Sequence, residues 1–497
     1  MTRTHLPVEF NRIPTIMRRY SFDSKMDMCS RFSRSFTSRT RPSVKQLVES
    51  KMQVHELETL FMFSIMHEEH DDRNIDEHNG SMIYRIIGSI DAECNSIINR
   101  GHFSFGNNYF QAFFPSQAAV QEDLRILLIR YNYYFSFANK DVNMPFEFFA
   151  KFGIEYKKLI SIAVLIGVLC GKDNDKFSKS IRQILNINKL LQYCYKMNYL
   201  DSFIVDREGY ISNQIVTCGD DIKNYLTCIK FVYQYPFIQY ENRIILPLPH
   251  VIKMAFTESL LLRLTGENNS LKGHFGKHIF ESYLYEIFND NSKYKQIKRE
   301  FDIVKGRKTS DVVIFNKGKI VFIEGKTTNP RAGVRIYNGE SEEHSIKLFS
   351  DGIMEIYKVI NDYCVKNKLS RDDCFGLLVF ASNDSILPRE KYAGLRRLHP
   401  EISDKDYEYI ISHIKNLPLY ECERLCCFSN KGIDEVLSDW SKDKGSEFDV
   451  TKERTFGCDG QMRGFFKHEE QVVQAYYQEF CYELSKSDMW HHNVCLS

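Results

Sequence analysis

The sequence predicts an α+β multidomain protein: a largely helical N-terminal region followed by an α/β domain whose mixed central sheet is flanked by helices. Three observations predict it. The chain has 497 residues, too many for one ordinary core and enough for roughly two to four domains. Apolar residues recur at helical spacing through most of the first half. Beyond residue 266 the pattern changes to short apolar runs with period-two alternation, separated by turn residues and one long helical stretch.

The composition is 43% hydrophobic and 26% charged with 12 Pro, which excludes long disorder and collagen-like repeats. Lys and Arg total 66 against 65 acids, a net charge of +1. No global field recruits a polyanion, so any nucleic-acid face must be a local patch. The 14 cysteines are irregularly spaced and follow no secretory signal, which points to a reducing, cytoplasmic setting. The longest apolar run, Leu159 to Cys170, is too short for a bilayer, which needs about 20 residues; no membrane association is expected.

Residues 1–46 carry eight Arg and two Lys against Glu9, Asp23 and Asp27 and read as a basic N-terminal arm, with Arg18, Arg19, Arg31, Arg34, Arg39 and Arg41 as candidate phosphate contacts. Residues 47–265 form a mostly helical domain, with helical spacing through Leu47 to Met66, Tyr84 to Ile98, Phe148 to Leu169 and Phe177 to Leu200. Short β-rich pieces follow at Tyr210 to Thr217 and Arg243 to Leu246, so that 177–250 resembles a small winged helix. The segment His67 to His78 holds three His and six acids, but not the spacing that sets two His and a base on one helical face. It reads as a charged interhelical loop.

Residues 266–430 carry the chemistry. In Gly273 to Asp290, Ile279, Phe280, Tyr283, Leu284, Ile287 and Phe288 form one apolar helical stripe, with Glu281 just beyond one edge and Glu286 just beyond the other. A β-prone run, Tyr294 to Val304, precedes a turn at Lys305 to Lys308. A strand over Ser310 to Phe315, the turn Asn316-Lys317-Gly318 and a strand over Lys319 to Lys326 make a hairpin. Alternation places Ile320, Phe322, Glu324 and Lys326 on one face, with Glu324 and Lys326 about 6.6 Å apart along the strand. An antiparallel partner brings Asp311 beside Glu324. Two adjacent carboxylates repel unless a cation sits between them. Mg²⁺ takes oxygen ligands from one or two carboxylates plus water and phosphate, and a nearby lysine can hold a water or offset a developing charge. Asp…Glu-x-Lys is thus a minimal device for metal-assisted phosphodiester hydrolysis.

This arrangement resembles the PD-(D/E)xK nuclease superfamily, the restriction-endonuclease-like fold, over residues 272–382. The order is a helix with Glu281, a strand, a strand with Asp311, a strand with Glu324 and Lys326, a helix over Ser345 to Cys364, and a strand over Phe375 to Ala381, parallel to the Glu-x-Lys strand. The resemblance implies that Asp311 and Glu324 ligate Mg²⁺ (or Mn²⁺), that Lys326 stands beside the attacking water, and that Glu281 is the accessory acid. Ser310 stands where the family has Pro. The implied function is a metal-dependent endonuclease, acting on DNA rather than RNA, of the kind found in anti-phage defence effectors. The alternatives are a non-cleaving nucleic-acid-binding or assembly subunit and an RNA-cleaving toxin.

Local charge suits a polyanion: residues 270–340 hold fourteen Lys and Arg against eight acids. Arg307, Lys308, Thr327, Arg331 and Arg335, with Thr328 and Asn329, are the candidate nucleic-acid contacts. No Gly-x4-Gly-Lys-Ser/Thr motif is present, so energy-driven translocation would need a partner subunit; a homo-oligomer is the other assembly left open. Residues 431–497 read as a C-terminal helical extension, with one amphipathic helix over His468 to Leu484. Cys422, Cys426, Cys427, Cys458, His491, His492 and Cys495 lack zinc-knuckle spacing and read as free thiols and ordinary histidines.

Overall fold

The computed structural model describes residues 6–37, 52–75, 80–100, 122–171, 175–219, 221–226, 228, 230–266, 268–290, 292–327, 339–381, 388–442 and 461–487. They form a mostly helical α+β protein with a mixed five-strand sheet in the C-terminal half. Two compact units result: one runs to Asn268 and resumes at Val472, and the other spans Asn269–Gln471.

In the first unit, the helix Val54–Ile65 is buried along its whole length. Buried on every side, it takes the polar side chains it carries, Glu56 and Glu58 among them, out of water. Its buried Glu58 is partnered rather than stranded, with His250 Nε2 at 3.4 Å and the Tyr233 hydroxyl donating to it. Ser33 Oγ meets His250 Nδ1 at 2.8 Å. Paired burial of this kind avoids the cost of an isolated interior charge.

Part of what the sequence reads as a basic arm is folded here. Ile13–Met17 and Phe22–Ser33 are helices, and Ile13, Met17, Phe22, Met26 and Cys29 are buried. Apolar residues between the arginines supply a core face that the charge count hides. Arg19, Arg31 and Arg34 stay exposed, with Arg31 paired to Asp27 at 3.1 Å; Arg39 and Arg41 lie outside the described residues.

Two expected long helices are broken. Gly153, at a φ of 71°, ends Met144–Phe152 before Tyr156–Cys170 begins. A left-handed residue of this kind is a common helix stop. Asn186 caps Ile187–Lys196 by accepting the Lys189 N–H at 2.9 Å, separating it from Lys176–Ile184. The β-rich reading of Tyr210 to Thr217 is corrected: Arg207–Cys218 is a helix, capped by Asp206, with Tyr210 and Gln214 buried one turn apart. A three-strand sheet follows the order Ile204–Asp206, Phe237–Tyr240, Arg243–Ile245, the first pair parallel and the second antiparallel. In the His67 to His78 segment, Glu69 bonds Lys25 and Arg207; residues 76–78 lie outside the described set.

The second unit opens with a helix, Asn269–His274, a π-helical turn, Phe275–Phe280, and the helix α1, Glu281–Phe288. Its strands are β1 (Gln296–Arg299), β2 (Asp302–Val304), β3 (Arg307–Lys308), β4 (Val312–Asn316), β5 (Lys319–Lys326), β6 (Cys374–Phe380) and β7 (Ile414–Pro418). Arg307 and Lys308, expected in a turn, are therefore strand residues: β2 and β3 form a separate two-strand ribbon turned at Lys305 and Gly306. The main sheet has the order β7-β6-β5-β4-β1. β1, β4 and β5 pair antiparallel, and β5, β6 and β7 pair parallel.

The helix α2, Gly339–Asn367, makes the crossover from β5 to β6. Ile353, Ile356 and Ile360 of α2 share a core with Ile320 and Phe322 of β5, so the apolar half of the Glu324 face is covered by this helix. β7 extends the sheet beyond the last strand read from the sequence.

Of the region expected as a C-terminal extension, the described residues up to Gln471 group with the second unit and those from Val472 with the first. The helix Gly464–Ser485 contains the expected amphipathic stretch. Among the described residues no helix is long and apolar enough to cross a membrane. The described cysteines are free thiols, including Cys422, Cys426 and Cys427 on Leu419–Phe428; Cys458, His491, His492 and Cys495 lie outside the described residues.

Candidate active site

Local chemistry sets the hairpin that carries the carboxylates. Lys317 and Gly318 have φ values of 46° and 84°. Two successive positive φ values suit the tight turns that follow strand twist. Asn316 pairs with Lys319 across this turn, and the register runs on to Val312 opposite Ile323. One residue further, Asp311 comes opposite Glu324. Asp311 Oδ2 accepts the Gly325 N–H at 2.8 Å, and the Asp311 carbonyl accepts the Glu300 N–H at 3.1 Å. Asp311 is thereby held from both sides.

Gly325 faces the opposite side of β5 and lets α1 lie close. A Cβ there would fall 2.4 Å from Leu284 Cδ1 and 2.7 Å from Phe280 Cε1, closer than packed atoms allow. This close approach brings Glu281, at the start of α1, into the field of Asp311 and Glu324. The π-turn immediately before Glu281 resets which residues face the sheet, a device often found at functional sites. A Cβ at Gly276 of that turn would lie 3.3 Å from Thr327 Oγ1, so Thr327 stands against it.

The electrostatics are those of crowded acids. Burial pushes the Asp311 carboxyl up to about 7, reinforced by the charges of Glu281 and Glu300 and opposed by the Gly325 N–H and Lys326. Glu324 is pushed up to about 7 by burial, then by Asp311 and Glu355. Glu281 reaches about 7 through burial, Glu300 and Glu324. Burial disfavours the Lys326 ammonium, but Glu324 and Glu355 together outweigh it and hold its pKa above the ordinary lysine value. Lys326 Nζ donates to Glu324 Oε1 at 3.0 Å and to Glu355 Oε2 at 2.8 Å.

An open cleft of about 590 Å³ lies between the β2–β3 ribbon and α2. Glu300, Glu324, Asp351 and Glu355 line it, together with the basic side chains of Arg307, Lys308 and Lys358, with His399 beside them. The basic excess of residues 270–340 therefore does not make the cleft itself basic. Arg307 pairs with Asp362 at 2.5 Å and Lys308 with Glu300 at 2.6 Å.

Of the residues singled out from sequence, Asp311, Glu324, Lys326 and Glu281 come together. Glu286 instead meets Arg299 at 3.3 Å. Arg307 and Lys308 line the cleft, Thr327 abuts the π-turn, and Thr328, Asn329, Arg331 and Arg335 lie outside the described residues. Glu300 and Glu355 were missed. For Glu355 a signal existed: Asp351, Glu355, Lys358 and Asp362 recur at helical spacing as one polar face opposite the apolar stripe of α2. Nothing in its neighbourhood distinguishes Glu300.

Among the described residues no group of three or more His, Cys, Asp or Glu is arranged to hold a metal ion. A hard divalent cation needs less, since one or two carboxylates suffice when water and phosphate oxygens complete the shell. Asp311 and Glu324 offer that donor set, and their mutual repulsion is what a cation would relieve. The fold is that of a mostly helical α+β protein, and these acids meet at the open end of the β4–β5 hairpin, inside its mixed sheet. Comparison with protein-family models, with curated proteins and with solved structures finds no match.

Proposed function

We propose that the second unit is a metal-dependent nuclease domain of restriction-endonuclease-like fold, hydrolysing phosphodiester bonds of nucleic acid, with DNA as the preferred substrate. The single observation that carries the reading is the meeting of Asp311, Glu324 and Lys326 at the end of two adjacent strands, both carboxyls raised to about 7.

Asp311 and Glu324 would hold the divalent ion, Mg²⁺ or Mn²⁺, which when bound polarises the scissile phosphate and acidifies a water. Lys326 keeps its proton and supplies a fixed positive charge that orients the attacking water and offsets charge developing on the phosphoryl oxygens. Glu281, with a carboxyl near neutrality, exchanges a proton with water at the mouth of the pair. Arg307, Lys308 and Thr327 bind phosphates flanking the scissile bond.

The test is cleavage of supercoiled plasmid, tRNA and mRNA side by side, with Mg²⁺, with Mn²⁺ and with EDTA. Plasmid cleavage abolished by EDTA is the expected result. Cleavage of RNA alone would redirect the substrate, and binding without cleavage under every metal would replace the enzyme with a nucleic-acid-binding subunit.

A further inference from the structure

Lys326 is shared by two carboxylates from different elements. Glu324 lies on its own strand, and Glu355 projects from α2. The two acceptors also differ in setting: the Glu324 side chain is 12% exposed and that of Glu355 is 54% exposed. Glu324 is one of the two groups that would hold a divalent ion. A lysine bonded to Glu324 alone competes with such an ion for the same oxygens. Glu355 gives the ammonium a second seat, off the carboxylate pair but within the cleft.

The position of that seat is fixed. α2 is packed on the sheet through Ile353, Ile356 and Ile360, all fully buried, and Asp362, two turns on, holds Arg307 of the β2–β3 ribbon. Glu355 therefore stands on a rigid support on the wall facing β5.

Resting on the nuclease reading above, we infer that Glu355 is a positioning residue that acts through Lys326. It shares the ammonium with Glu324, which weakens the lysine's competition with a divalent ion for that carboxylate, and keeps the lysine within the cleft rather than in solvent.

The experiment is Mn²⁺ binding to the full-length chain without nucleic acid, measured by electron paramagnetic resonance of free Mn²⁺, for wild type, Glu355→Ala, Glu355→Gln, Lys326→Met and Lys326→Met/Glu355→Ala. Glu355→Ala is expected to weaken binding about fivefold, the scale of one partly exposed charge pair, because Lys326 then rests on Glu324 alone. Lys326→Met should tighten binding, and in that background Glu355→Ala should cost less than about twofold. This non-additivity is the signature of one residue acting through another. Glu355→Gln keeps an acceptor for the ammonium and should fall between wild type and Glu355→Ala. Equal losses in both backgrounds would overturn the inference, making Glu355 an ordinary nearby charge, while leaving the nuclease reading in place. Wild-type protein that binds no Mn²⁺ would overturn the inference, and plasmid cleavage with and without EDTA would then decide the nuclease reading by itself.

Discussion

The carboxylate of Asp311 is anchored to the backbone N–H of Gly325, 2.8 Å away on the neighbouring strand. This one bond joins three features of the site. It fixes Asp311 beside Glu324, it uses a strand-end N–H with no partner further along β4, and it involves the residue whose missing side chain lets α1 approach. The Glu-Gly-Lys order on β5 thus has a middle residue as constrained as its neighbours.

Gly325→Ala is expected to be among the most damaging small substitutions. The new Cβ would drive Phe280 and Leu284 away, costing about 1–3 kcal/mol of stability as overpacking does. It would also displace Glu281, and misplacement by about 1 Å costs on the order of 10²-fold in rate. Denaturant melts and plasmid cleavage on the same preparation check both; near-wild-type behaviour would mean that α1 does not hold Glu281 in the site.

Lys326→Ala and Asp311→Ala should fail differently. The first should keep nucleic-acid affinity within about twofold while cleavage drops about 10²–10⁴-fold, the usual loss for one positioned electrostatic or acid–base group. The second should lose metal affinity, so that excess Mn²⁺ partly restores cleavage. Filter binding and cleavage across Mg²⁺ and Mn²⁺ concentrations separate the two. Full activity in Lys326→Ala would refute the mechanism.

The raised carboxyls predict a pH dependence of stability. Asp311, Glu324 and Glu281 titrate near 7 in the fold, above their ordinary values of 3.8, 4.5 and 4.5. Below about pH 4 both folded and unfolded states hold these protons, and the fold carries no penalty. As pH rises towards 7 and beyond, the unfolded chain releases protons more readily, so this contribution to stability is lost. The apparent Tm of the metal-free protein should fall between about pH 4.5 and 8. Asp311→Asn should flatten part of that fall. Mg²⁺ at pH 8 should raise the Tm of wild type and leave that of Asp311→Asn nearly unchanged.

Ser310, beside Asp311, is 1% exposed, and its hydroxyl has no hydrogen-bond partner among the described residues. An orphaned buried hydroxyl carries a desolvation cost that its removal relieves. Ser310→Ala should therefore stabilise the protein by about 1 kcal/mol, read as a rise in denaturation midpoint. A loss of stability would show that the hydroxyl is satisfied in solution.

Deleting residues 1–33 should disrupt folding of the first unit rather than trim a tail, because Ile13, Met17, Phe22, Met26 and Cys29 are core. Near-UV circular dichroism of the truncated chain checks this. An unchanged spectrum and Tm would restore the arm.

The hairpin that carries the site was legible from the sequence alone. Its turn chemistry is local, and period-two alternation needs only the strand itself, so Asp311, Glu324 and Lys326 could be set on one face from residue types and spacing. The expected parallel pairing of the last strand also follows from a local rule about crossovers, and β6 does lie parallel to β5. Other features depended on contacts between residues distant in sequence. Glu355 reaches Lys326 only because the isoleucines of α2 dock on β5 and β6, and Glu300 meets Asp311 only through a backbone bond between neighbouring strands. The arginine-rich segment reads as an arm until Ile13, Met17 and Phe22 find a core to fill. Periodicity and turn propensity act over a few residues and are written in the local sequence. Burial, and the pKa and pairing that follow from it, are set by which distant surfaces the chain brings together, and only the tertiary structure decides that.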